Sequence, residues 1–159
     1  MATAKEIYGS YKDFLDRLEI HYNEDDEDNV IKIQMPVRGK LQKINMMVVC
    51  SDDYVSTRAF ILLNADEEVR QNVSEYLVRA NYGLKYGYFD MDASDGEISF
   101  KISLDCEDRT SLSDDLLQKT FVIPQIMLEK YGDGLLAVMF GAKSPEEAIN
   151  EAEDEDEDC

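Results

Sequence analysis

The sequence predicts an α+β fold on one largely antiparallel five-stranded sheet. Apolar residues recur at helical spacing near the N-terminus, again near residues 69–80, and again beyond residue 113. Between these stretches, apolar and polar residues alternate with the period of two that marks half-buried strands. The strand-like runs come as a group of three and a group of two, separated by a helix and followed by helices. Such segregated runs belong to α+β domains.

The first helix begins at Thr3, which forms a capping box with Glu6. Ile7, Tyr8, Tyr11, Phe14, Leu15 and Leu18 then define its apolar face, and the acids after Tyr22 end it. Ile31, Ile33 and Met35 alternate with Lys32 and Gln34 as the first strand, closed by a turn at Pro36 and Gly39. From Ile44 to Cys50 both parities are apolar: Ile44, Met46 and Val48 face one way, Met47 and Val49 the other. A strand of that kind belongs where both faces are covered. Tyr54 to Leu63 is similarly mixed, with Phe60 and Leu62 on the second parity.

Asn64, with Glu67 three residues on, is expected to cap a second helix lined by Val69, Val73, Leu77 and Ala80. Asn81-Tyr82-Gly83 is its stop, because Gly83 can take a left-handed conformation. A hairpin follows: Phe89 and Met91, a turn at Asp95-Gly96, then Ile98, Phe100, Ile102 and Leu104. Residues 113–131 are helical in pattern around Pro124, which predicts a kink near Gln125 or a break. Gly132-Asp133-Gly134 is expected to be a tight connection, and Leu135 to Phe140 is too short and apolar to classify. Ser144-Pro145-Glu146-Glu147 opens a last helix with a cap, a first-position proline and a capping-box Glu. One domain over residues 1–150 and a disordered acidic tail over 151–159 are predicted.

The formal net charge of −19 arises from 35 acids against 16 bases, and seven of those acids lie between Glu151 and Asp158. This balance disfavours nucleic acid, whose recognition needs a basic stripe, and anionic membrane surfaces. The N-terminus has no apolar leader pattern, and Cys50, Cys106 and Cys159 form no CxxC pair. A reduced, cytoplasmic setting is the expectation.

No constellation for catalysis, metal or cofactor stands out. The single His21 sits beside five acids with no serine elbow, HExxH or Cys/His set, and a cation at the end of the first helix explains it more simply. The stretch from Asp90 to Gly96 resembles a calcium loop only weakly. Its glycine comes one position late and Lys101 stands where the closing Glu should be. No catalytic residue, metal ligand or cofactor site is therefore predicted, and the protein is expected not to be an enzyme.

Candidate contact residues are easier to find. Tyr82, Tyr86 and Tyr88 cluster between the second helix and the hairpin, as a ligand or partner surface or, more simply, as sheet-edge packing with hydroxyls in solvent. Met47, Val49, Phe60 and Leu62 place apolar groups on the second sheet face, which few helices remain to cover. Burial against a symmetric copy would remove that patch, so a homodimer that tightens with salt is expected.

Phe60-Ile61-Leu62-Leu63-Asn64, the run from Glu75 to Leu84, Gly96-Glu97-Ile98-Ser99-Phe100-Lys101 and Lys143-Ser144-Pro145-Glu146-Glu147-Ala148-Ile149 carry a family resemblance. On these segments the chain resembles the YbjN family, loosely labelled as bacterial sensory transduction regulators. The resemblance implies a fold like the type III secretion chaperones, in the order α-β-β-β-α-β-β-α with an extra C-terminal helix. Those chaperones are small, acidic, dimeric and non-enzymatic, and hold extended segments of client proteins. A non-enzymatic, chaperone-like or regulatory protein that binds protein segments is the expected function. A module sensing a small ligand or stress is the alternative.

Overall fold

The computed structural model describes residues 2–107 and 112–154. Helix α1 (Ala4–Arg17) is followed by strands β1 (Asn23–Asp25), β2 (Val30–Pro36), β3 (Lys43–Cys50) and β4 (Tyr54–Phe60). A 3-10 turn at Glu67–Val69 leads into α2 (Arg70–Asn81), then β5 (Tyr88–Met91), β6 (Ile98–Asp105), α3 (Asp114–Met139) and α4 (Pro145–Asp154). The six strands form one sheet in the order β1-β2-β3-β4-β6-β5, every neighbour antiparallel. The sheet thus has six strands rather than five. The extra one, β1, is an exposed acidic tripeptide with no apolar alternation to announce it.

Strand parity decides what the core contains. Ile31, Ile33, Ile44, Met46, Val48, Val55, Ala59, Phe89, Ile98, Phe100 and Ile102 project from one face and are buried. Helix α1 lies against β2 and β3, α3 crosses β4 and β6, α2 covers β5, and α4 packs outside against α2 and α3. Within this layer Phe89 meets Phe100 and Tyr131 edge to face at 5.0 and 5.5 Å. Two buried hydroxyls tie the layers together. Thr120 Oγ1 donates its one proton to the Leu117 carbonyl at 2.8 Å, so the Tyr11 hydroxyl, 2.9 Å away, is the donor to Thr120. Tyr76 donates to the Tyr131 carbonyl at 2.6 Å.

Several helix ends differ from expectation. Thr3 caps α1 by accepting from the Glu6 amide, as the sequence indicates, but Leu18 falls past the last turn and is exposed. Asn64 does not cap α2; its side-chain amide donates to the Asp95 carbonyl, fastening the loop to the β5–β6 turn. Strand β4 stops at Phe60, leaving Leu62 and Leu63 exposed in that loop.

Helix α3 runs unbroken through Pro124 and through Gly132-Asp133-Gly134, where a connection was expected. These glycines serve close packing. A Cβ on Gly132 would come within 2.6 Å of Leu41 Cδ1, and one on Gly134 within 2.5 Å of the Tyr76 hydroxyl. Leu135 to Met139 is accordingly helix. Helix α4 continues to Asp154, four residues into the segment assigned to the tail. It buries Ala152 and brings Glu153 to the Tyr131 hydroxyl. Residues 155–159, with Cys159, lie outside the described residues.

Candidate binding surface

No described helix lies over the second face of the sheet, and most of its residues fall into three rows set by the strand register. The central row crosses all six strands as Asn23, Lys32, Met47, Arg58, Lys101 and Tyr88. On one side lie Asp25, Val30, Val49, Ser56 and Ser103; on the other, Gln34, Asn45, Phe60, Ser99 and Asp90. Only Ser56 and Ser99 of these are buried, whereas Met47, Val49 and Phe60 are half-buried.

Of these apolar residues, Met47 has cationic neighbours. Met47 stands in register between Lys32 and Arg58, whose aliphatic stems can cover it while their charges stay in water. Arg58 is held in place: its Nη1 donates to Ser99 Oγ at 3.0 Å and lies 3.5 Å from Asp90 Oδ2. Lys32, Lys43 and Lys101 make no ion pair among the described residues. The acids of the face sit at its margins, Asp25 on β1, Asp90 on β5 and Asp105 at the end of β6.

The neighbouring acidic cluster turns towards α1. Tyr8 donates to Asp26 at 2.6 Å, and Lys12 bridges Glu24 and Asp26 at 3.3 and 3.6 Å. A groove of about 660 Å³ runs along the β1–β4 half of the open face. His21, Lys32, Gln34, Asn45, Met47 and Phe60 are among its lining. Gln34 Nε2 donates to Asn45 Oδ1 at 3.1 Å, fixing two amides on its floor. A second groove, of about 510 Å³, lies between α3 and α4 beside the exposed Phe140.

The structure separates the sequence candidates. Met47, Val49 and Phe60 share the open face, Tyr88 ends its central row, and Leu62 lies off the sheet. Tyr82 is 89% exposed at the end of α2, and Tyr86 sits with Lys85 and Lys119 at 5.2 and 5.3 Å from its ring. All three tyrosines are exposed, and neither groove is lined by them. His21 is not at the helix terminus. Arg17 holds that place, and His21 stands exposed at the groove rim.

The expectation of a homodimer rests on an apolar second face; Met47, Val49 and Phe60 do lie there, in register with Lys32, Arg58 and polar residues rather than as an unbroken apolar patch. The cations themselves were visible only as the polar partners of apolar residues. Their alignment needs the strand order, which periodicity does not supply. Elsewhere, burial together with the nearby Cys106 pushes the Cys50 thiol up to about 12. No group of three or more His, Cys, Asp or Glu side chains among the described residues is placed to hold a metal ion. No described helix is long and apolar enough to cross a membrane.

No family model matches the chain, and no curated protein matches it. Among solved structures, the fold is similar to the crystal structure of YbjN, an E. coli protein proposed to be a transcription regulator. The TM-score is 0.56 at 11% identity, over 77% of this chain and 85% of that one. The chain thus has a YbjN-like α+β fold with an antiparallel sheet of six strands and four helices.

Proposed function

We propose that this chain is a non-enzymatic, cytoplasmic interaction protein of the YbjN family that holds segments of partner proteins on the open face of its sheet. One observation carries the reading: the face is uncovered and places Met47, Val49 and Phe60 among aligned hydrogen-bonding and cationic groups. Contact area with a polar surround is the composition of a protein-binding patch. The sheet edges are poorer docking sites. Strands β1 and β5 are three and four residues long and carry Glu24, Asp25 and Asp90, which blunts strand addition.

A homodimer belongs to this reading only through another surface, because two copies face to face would bring the lysines and Arg58 of both together. The test compares proteins captured by wild type with those captured by Met47→Arg and Phe60→Ser, after checking that both variants melt normally. A discrete partner lost from both variants supports the reading. Capture unchanged in both puts the partner on another surface and contradicts the reading, whereas a gain in Tm with a metabolite but with no protein points to the ligand-sensing alternative.

A further inference from the structure

We infer that the open face selects a short, extended, acidic protein segment with a bulky apolar residue between its carboxylates, laid along the row Lys32–Met47–Arg58–Lys101. This rests on the reading that the face holds protein segments and adds the chemistry of the occupant. In a chain with 35 acids and 16 bases, this row sets three cations in line at one level of the sheet, with Met47 between the first two, and Lys43 adds a fourth on the same face. Two of the three cations in the row make no ion pair among the described residues, and the third is fixed by Ser99 and Asp90.

Spacing matches an extended chain. Adjacent strands lie about 4.8 Å apart, so Lys32 and Lys101, three strands apart, are separated by roughly 14 Å. An extended peptide covers that length in about four residues. Carboxylates four residues apart would reach the two lysines, and the residue midway would rest on Met47, near Phe60 and Val49. The amides of Gln34 and Asn45 flank this path and can meet backbone groups.

Two features favour a short peptide over single-stranded nucleic acid. The row is an island bounded by Asp25, Asp90 and Asp105, which would repel a phosphate backbone running past either end. Charges beyond about 8 Å are largely screened at physiological salt, so the row can attract a short acidic segment despite the net −19.

The test uses the full chain and a short labelled peptide with glutamates four residues apart, phenylalanine or leucine midway between them and serine at the intervening positions, so that carboxylates and apolar groups share one face of the extended chain, read by fluorescence anisotropy. Versions with glutamine or lysine for glutamate, and an oligothymidylate, are the comparisons. Binding should favour the glutamate peptide by about tenfold or more over the glutamine version, and weaken with salt. The double variant K32E/K101E leaves Arg58 and its bonds untouched, and should lose about tenfold or more in affinity. K5E/K119E, equal in net charge but on the helices, should change it less than about twofold. Circular dichroism melts establish that both doubles fold.

Equal loss in the two doubles would reduce the effect to overall charge and overturn the inference. Equal binding of the glutamine peptide, abolished by Met47→Arg, would overturn acid selection while leaving a protein-binding face intact. Tighter binding of oligothymidylate would make the face a nucleic-acid surface, and a dimer mass abolished by K32E/K101E would make the occupant a second copy. Either result overturns the inference. No binding of any peptide, with capture of a protein still dependent on Met47, would also sink the acidic occupant without sinking the face.

Discussion

Met46 and Met47 are neighbours in β3, yet they belong to different molecules in physical terms. Met46 is buried beneath the helices, while Met47 stands between two cations on the bare face. The sheet therefore divides the chain into a side that holds the fold and a side that is free to change. Everything that closes the helical side is a specific contact between distant segments: Tyr76 with Tyr131, Tyr11 with Thr120, Gly132 with Leu41. On the open side, side-chain hydrogen bonds join strand neighbours, such as Arg58 with Ser99 and Gln34 with Asn45. Substitutions on the two sides should accordingly differ in kind.

The largest effect is expected at Phe100, fully buried and edge-on to Phe89. Phe100→Ala should cost about 3–5 kcal/mol, lowering Tm by roughly 10 °C or more in a thermal melt. Gly134→Ala comes next. Helix propensity alone would make alanine about 1 kcal/mol better, but the new methyl would meet the hydrogen-bonded Tyr76 hydroxyl and approach the Ala148 carbonyl. Overpacking of about 1–3 kcal/mol should win, so this variant should melt lower. Gly132→Ala meets only the flexible end of Leu41 and should be tolerated better. An increase in Tm for Gly134→Ala would mean that α3 does not pack this closely.

Truncation sharpens where the helical side ends. Removing residues 151–159 takes away buried Ala152, the Glu153 contact to Tyr131 and the Lys143–Glu151 pair, so about 1 kcal/mol should be lost. Removing only residues 155–159 should change stability by less than about half a kcal/mol in urea unfolding. The effect expected on the open face is equally small. Met47→Glu places a carboxylate between Lys32 and Arg58, and the cross-strand pairing should offset the lost contact to within about 0.5 kcal/mol. In the same spirit, Cys50, with its thiol raised to about 12, should resist alkylation in the native protein at neutral pH and react in denaturant.

The helical side was the more legible of the two. Period-two alternation assigned Ile31, Phe89 and Phe100 to strands, and Thr3 and Ser144-Pro145 marked helix starts that the structure keeps. What escaped depended on partners far along the chain. Gly132 and Gly134 look like turn residues until Leu41 and Tyr76 are seen against them. Asn64 looks like a cap until the Asp95 carbonyl is seen beside it. β1 carries no apolar pattern, because an exposed edge tripeptide has none to show. The cation row was hidden for the same reason. Lys32, Arg58 and Lys101 lie on three different strands, and only the order β2-β3-β4-β6 lines them up.

The most direct measurement follows the methionine methyl resonances during titration of the full chain with the glutamate–phenylalanine peptide. Met46 and Met139 lie on the buried side, and Met47 lies in the central row of the open face. The Met47 methyl should shift in proportion to occupancy while Met46 and Met139 stay in place. Shifts at Met46 and Met139 with Met47 unmoved would put the working surface on the helical side and contradict the division of the sheet into a holding face and a binding face.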